Sequence, residues 1–311
     1  MTTPMISEQF ARAILPILRK EWDQARNAVI SPAAQLYGVE SSRSSVEYSQ
    51  GYGEFGIVPE YNSPDAEAEP ASIAYDSFSP LFEKTFTHKE YAMGVAVERK
   101  LLDDNQTGQI VRKVRGLGNS FGMTTAYHQS SIFNNAFSSS YLGGDAKALC
   151  ATDHPTNMNN STSISNKGTT ALSYDAVVAT IAAGAALKTD RALPMPSLYD
   201  VLYVPVGLQA TAIEITNAIG KPGTANNDAN FLQGRGLQVV VDPYLSDANN
   251  WFMIDSVQAK MHMLWFWRVM PELAIDPSSD FNLVAKYRGY MRFSFGWDDF
   301  RYIYGHEVAG G

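Results

Sequence analysis

The residues best equipped for chemistry lie in the segment ALCATDHPT, from Ala148 to Thr156, where Cys150 and His154 stand four apart with Asp153 between them. A thiol with an imidazole in reach is the start of a nucleophile and base pair, and on that reading the chain is a cytoplasmic enzyme. A catalytic cysteine, however, normally takes its base from a distant part of the chain, and this pair sits in extended backbone just before Pro155. The segment reads as a loop anchor. The five histidines, His88, His128, His154, His262 and His306, are scattered, with no HExxH or paired-ligand spacing for a metal. Asp298 and Asp299 are neighbours and would point to opposite faces of a strand, which does not make an acid and base pair. No GxSxG elbow exists. Gly220-Lys221 is followed by proline, and Gly234-x-Gly236 is not completed, so neither phosphate-loop fingerprint is present. No catalytic, metal-ligating or cofactor-binding set emerges.

The elements around these residues point elsewhere. Between Asp103 and Phe137, the residues Ile110, Val114, Leu117, Phe121, Thr124 or Thr125, His128, Ile132 and Ala136 recur three or four apart, the spacing of one helical stripe. Asp103, Asp104 and Asn105 can cap its start, and Ser138 to Gly144 supplies its stop. A helix this long spans roughly 45 Å and needs something equally long to lie against. Gly116, Gly118 and Gly122 each weaken it by up to ~1 kcal/mol relative to alanine, so packing must hold this spine straight, with a built-in place to bend.

Composition narrows the function. With 311 residues, 45% hydrophobic and 18% charged, the chain can bury a sizeable core in two lobes. A net charge of -8 argues against a basic face that grips nucleic acid tightly. The single cysteine allows no internal disulfide and no cysteine metal cage, which suits a reducing cytoplasm. No signal-like segment or run of ~20 apolar residues indicates export or a membrane span.

Ser7 to Val29 reads as an amphipathic helix, with Phe10, Ile14, Leu18, Trp22, Ala25 and Val29 on one face and Pro16 as a kink. Its apolar face fits its own domain or a neighbouring subunit. From Ser44 to Val97 the pattern is extended, a long two-stranded loop carrying Tyr52, Phe55, Tyr61, Tyr75 and Phe78 around an acidic tip with Asp65, Glu67 and Glu69. A lone hairpin cannot cover those aromatics, so it folds back on its own domain or another chain completes it. Ala171 to Phe252 mixes helices and strands: a helix capped by Ser173, a buried strand at Tyr199 to Val204, a helix at Gly207 to Ile219, a loop from Gly223 to Gly236 and a strand at Leu237 to Val241. Trp251 to Gly305 is strand-dense and reads as one antiparallel sheet, residues 287, 289, 291, 293 and 295 facing one way as a wall for the spine.

The order of leading helix, extended loop, spine, ALCATDHPT, a mixed lobe with LYVPVGLQATAIEI, the strand NWFMIDS and an ending in FRYIYGHE resembles the major capsid proteins of tailed bacteriophages, in particular the major head subunits of Mu-like phages and prophages. The resemblance spans nearly the whole chain and rests on Leu149 to Pro155, Trp251 to Asp255 and Tyr302 to Gly305. It implies an α+β fold with an N-terminal arm over 1–43, an extended loop over 44–90, a peripheral domain over 91–170 and 251–311 with the spine at 103–137, and an axial domain over 171–250. It implies a structural protein whose copies form hexamers and pentamers of an icosahedral shell around double-stranded DNA, without sequence-specific contact and with no membrane. A separate scaffolding protein, a portal and a decoration protein are the partners it suggests, since the arm is too short to carry a scaffolding segment, unless this chain is already the trimmed product. Phe10, Trp22, Tyr52, Phe55, Tyr61, Tyr75 and Phe78 then become subunit-interface residues, and Gly116, Gly118 and Gly122 a hinge that lets the spine change curvature as the shell expands. Lys84 and Lys89 lie near the loop, but no local pattern supports a covalent cross-link. The rival with the same fold is the shell of a cellular nanocompartment.

Overall fold

The computed structural model describes residues 7–52, 80–98, 107–156, 163–189, 191–224, 228–275 and 284–310, without the side chains of residues 7–13 and of Tyr52. Helix α1, Ser7–Ala28, is assigned as one helix through Pro16, without the split its sequence suggests. Its apolar face is held by packing: Leu18 and Trp22 are buried. The spine is helix α2, Thr107–Asn134, and the stripe Ile110, Val114, Leu117, Phe121, Ile132 and Phe133 is its buried face. The first of its capping candidates, 103–105, lie outside the described residues.

Strands β1 (Gly38–Ser41), β2 (Val46–Tyr52), β3 (Pro80–Thr87) and β4 (Lys89–Glu98) precede the spine. The extended region divides there. Only β2 and β3 pair as a hairpin, while Tyr91 to Val97, expected as its returning strand, belongs to β4 in a larger sheet. That sheet has the order β1-β11-β12-β4, where β11 is Met263–Ile275 and β12 is Val284–Trp297. Strand β1 runs parallel to β11 and the other pairs are antiparallel. Tyr287, Met291 and Phe293 are buried toward the spine, with Arg288 on the opposite face, as the alternation requires. Gly289 is the point of closest approach, since a Cβ there would lie 2.6 Å from the Phe121 ring. Strand β11 starts directly after a short helix, α6 (Ser256–His262, numbered after α3 to α5 below), whose N-cap Asp255 accepts from the amides of Val257 and Gln258.

The second sheet corrects the reading of Trp251 to Gly305 as one wall. Short strands β5 (His154–Pro155) and β6 (Ser163–Ile164) pair with each other. Strands β7 (Lys167–Gly168), β8 (Val201–Pro205), β9 (Gln238–Asp242), β10 (Trp251–Ile254) and β13 (Ile303–His306) form a five-stranded sheet in the order β7-β13-β10-β8-β9. Strand β10 thus pairs with β8 of the mixed lobe, and β13 lies between β10 and β7. Strands β8 and β10 are buried at every position because they separate two cores. Val201, Tyr203, Phe252 and Ile254 face the spine, where Phe133 stacks on Tyr203 with centroids 4.3 Å apart. Leu202, Val204, Trp251 and Met253 face α3, Tyr174–Ala185, through Val177 and Ile181. Cover on both sides is why these strands read as unbroken apolar runs. Ser173 caps α3 by accepting from Ala176 N–H. Helices α4 (Gln209–Asn217) and α5 (Phe231–Arg235) complete the lobe; α5 sits inside the segment expected as loop and stops at Gly236, φ 69°.

Candidate functional site

Cys150 and His154 are both buried, and they do not form a pair. His154 Nδ1 bonds the Asp145 carboxylate at 2.6 Å, and its ring stacks on Phe300 with centroids 3.7 Å apart. Its Nε2 has no hydrogen-bond partner, so no bond reaches the thiol. Burial pushes the Cys150 thiol up, which removes the thiolate a nucleophile needs. The segment is tied down instead by Asn166, a buried residue the sequence gave no reason to single out. Its Nδ2 donates to Leu149 O at 2.8 Å and Ile303 O at 3.2 Å, and its Oδ1 accepts from Ala151 N–H at 2.9 Å. ALCATDHPT is thereby stitched to the closing strand. Among the described residues no His, Cys, Asp or Glu cluster is placed to hold a metal ion, and no helix is long and apolar enough to cross a membrane.

A cavity of about 310 Å³ opens where the two-stranded loop meets the body, between Gly51 and Phe82 on one side and Trp297 and Phe300 on the other. Four of its charged or titratable groups, His262, Asp298, Asp299 and Arg301, form one linked set. Asp298 accepts from Ser49 Oγ at 2.7 Å and bonds His262 Nδ1 at 2.9 Å, joining the loop's root to the body. Burial alone would lower the His262 pKa, but Asp298 and Asp299 more than offset it and raise it above its ordinary value. Burial would likewise raise the Asp299 carboxyl, yet Arg301 holds it down to about 2. Lys84 donates to the carbonyl of Leu142, a further tie between loop and body. The arrangement is a clamp on the root of the loop.

The second candidate region is the seam of α1 and α2. Trp22, expected at a subunit interface, lies inside its own chain, 1% exposed and edge-on to Phe121 with centroids 5.7 Å apart. Two of the three spine glycines make this seat. A Cβ on Gly118 would lie 2.5 Å from Trp22 O, and one on Gly122 would lie 2.7 Å from Arg26 O, so the backbones touch. Gly116 differs, for its missing Cβ would meet nothing within 4 Å. Tyr52 closes β2, but its side chain and that of Phe10 lie outside the described residues, as do Phe55, Tyr61, Tyr75 and Phe78. Sequence reasoning also missed apolar side chains of the mixed lobe that are left to water: Val206, Ile213, Ile219 and Phe231. Their signal, an apolar residue beside a helix end or turn, is too common to single them out.

Among solved structures, the chain is similar to the procapsid protein of bacteriophage JBD30, at 13% identity over 98% of this chain and 77% of that one, with a TM-score of 0.54. It is similar to the capsid of cyanophage P-SCSP1u, at 12% identity over 89% and 87%, TM-score 0.55. A virus-like particle from Pyrococcus furiosus also matches, at 9% identity over 94% and 98%, TM-score 0.54. These likenesses show a shared α+β capsid fold. No curated protein matches the chain. The phage capsid protein family model matches residues 82–305, from the root of the extended loop through both sheets, and this chain therefore belongs to the phage capsid protein family.

Proposed function

We propose that this structural major capsid protein gathers into hexamers and pentamers of an icosahedral head that encloses double-stranded DNA. The observation that carries the reading is the family match over 82–305. Apolar side chains left to water, among them Ile219 and Phe231, agree with it, because sister subunits can cover what one chain cannot. The net charge of -8 suits a wall along which DNA slides, without sequence-specific contact. A separate scaffolding protein, a portal and a decoration protein complete the proposed partners, with assembly in the host cytoplasm and the virion as destination. The segments Leu149 to Pro155, Trp251 to Asp255 and Tyr302 to Gly305 favour kinship with the Mu-like head subunits. The proposed division remains an N-terminal arm (1–43), an extended loop (44–90), a peripheral domain (91–170 with 251–311) and an axial domain (171–250), with Phe10, Tyr52, Phe55, Tyr61, Tyr75 and Phe78 at subunit contacts.

Expression alone and with neighbouring genes, followed by ultracentrifugation and electron microscopy, tests the reading. Closed shells support it, and a well-behaved monomer at high concentration defeats it. The likeness to the Pyrococcus furiosus particle keeps a second reading, a cellular compartment shell. Particles that carry protein cargo and no nucleic acid would favour that one. The spine hinge is proposed at Gly116, Gly118 and Gly122, and the residues separate in test. Gly116→Ala stiffens the helix in open space, whereas alanine at 118 or 122 also unseats α1. Impaired expansion of shells made from Gly116→Ala alone supports the hinge, and normal expansion removes it.

A further inference from the structure

We propose that His88 is a proton-sensitive latch: in its neutral form it locks the joint between the β2–β3 hairpin and the four-stranded sheet, and acid loosens that joint while hairpin and sheet stay folded. The hairpin hangs from two covalent links. One is the stretch 42–45 between β1 and β2, and the other is the single residue His88 between β3 and β4. Strands β1 and β4 lie at opposite edges of the sheet, yet the two links meet, with Ser42 Oγ 2.9 Å from His88 Nε2. Arg43, Ser44 and Ser45 are exposed, whereas Ser42 and His88 are buried. The joint therefore depends on the contact between its two buried residues.

Protons can be placed along that contact. Ser42 has one hydroxyl proton, and Glu47 Oε1 on β2, an acceptor 2.5 Å away, takes it. His88 Nε2 then carries a proton and donates to Ser42 Oγ. Its Nδ1 is left as an acceptor, and Ser294 Oγ on β12 donates to it at 3.0 Å. Ser294 is buried as well. The bonds from Glu47 through Ser42 and His88 to Ser294 thus join the hairpin, both links and a central strand. They are complete only while the imidazole is neutral, because a proton on Nδ1 sets one donor against another. Phe86, packed on Phe266 and against Gly296, lines the corner with apolar surface that offers no substitute acceptor.

The charges around the ring act in the same sense. Burial is the main cause that holds the His88 pKa below its ordinary value, and Arg292 of β12 and Arg268 of β11 add to it. Glu47 of β2 opposes them, and Glu90 of β4 lies 3.6 Å from Arg292. An opened corner puts the ring in water, where it takes up a proton at the ordinary ~6.5. The latch is therefore at full strength above the ordinary histidine range and weakens as pH falls toward the lowered value. His262, whose pKa is raised, keeps its bond to Asp298 in acid, and Asp298 holds Ser49 of the hairpin. Acid gives the hairpin play at its corner without detaching it.

Hydrogen exchange on the full chain from pH 8 to 5, corrected for the intrinsic pH dependence of exchange, tests the latch. Amides of 42–47 and 86–90 should lose protection by about tenfold per pH unit below ~6.5. His88→Gln should abolish that slope at the corner and leave any slope in helix α3 unchanged. Corner protection that is flat with pH in the wild type, or an equal slope in His88→Gln, overturns the inference. Titration of the His88 ring by NMR gives a second measurement that does not need the glutamine variant to fold. Its pKa should lie below the ordinary value, rise in Ser294→Ala, which removes the donor to Nδ1, and fall in Glu47→Gln, which removes the nearby negative charge. A ring that titrates at the ordinary histidine value, or that neither substitution moves, overturns it equally.

Discussion

Helix α1 and the two-stranded loop both carry rows of aromatic and aliphatic residues near the start of the chain, but they are attached to the body in different ways. Helix α1 is keyed in by backbone contact, with Trp22 O and Arg26 O resting where Gly118 and Gly122 have no side chain. The root of the loop adds polar ties, Ser49 and His262 on Asp298 and Lys84 on Leu142 O, beside a cavity, to the packing of Phe86 on Phe266. Amphipathic patterning says that a face must be covered, and the opposite surface decides by whom. Glycines four apart on the spine gave α1 a cover within its own chain.

The largest effect on this contrast should come from Gly118→Ala with Gly122→Ala. Each new methyl meets backbone, so α1 must shift, at a combined cost of roughly 4–5 kcal/mol. Hydrogen exchange should then show Ser7–Ala28 opening while β2 and β3 keep their protection, and an α1 that stays protected would mean the seam is looser than its contacts. Trp22→Ala should lower unfolding free energy by about 3–4 kcal/mol, the usual range for a buried tryptophan. Tyr48→Ala, on the loop's root and two-thirds exposed, should change it by less than ~0.5 kcal/mol. Denaturant titration of the two variants separates the regions directly.

Acid should separate the body from the loop in the opposite sense. His306 stacks on Trp251 with centroids 3.9 Å apart and bonds Thr180 Oγ1 at 2.8 Å. Thr180 already donates its hydroxyl to Ala176 O, so Nε2 of His306 is the donor and Nδ1 is bare, buried and without a partner. Burial lowers the His306 pKa from its ordinary 6.5 to about 4. The unfolded chain takes up the proton first, so stability is full above pH ~6.5 and falls by about 3 kcal/mol as pH drops toward ~4. His262 is raised, and its contribution at the loop's root is full below the ordinary histidine range and lost as pH climbs through the raised value. Melting curves from pH 4 to 8 of the wild type and His306→Gln should show a smaller acid loss in the variant, the remainder coming from His88 and His128, whose pKa values burial also lowers. Gly116→Ala should raise subunit stability by about 0.5–1 kcal/mol, read in the same melts.

The two long helices were legible because their period persists over many turns, and the alternation in β12 because one face is water and the other is the spine. The five-stranded sheet was not legible. Its partners Gly305 and Lys167, or Ile254 and Val201, are far apart in sequence, and the strands are apolar on both faces, which hides the alternation. Helix α5 escaped because five residues give little more than one turn of pattern. At the seam, the glycines stood out as weak points of a helix, but their use as a seat for Trp22 depends on which element crosses them. The absence of a Cys150 and His154 pair was foreshadowed by Pro155, while the hold of Asn166 on both segments left no mark in the sequence.

The twin notches in the spine also govern which changes of length the gene tolerates. One residue inserted between Gly118 and Gly122 would swing the second notch about 100° around the axis and leave Arg26 O facing a side chain. The same insertion in the turn from Ser138 to Gly144 leaves both notches aligned. The four-residue interval in the spine is therefore the spacing that an insertion would break first.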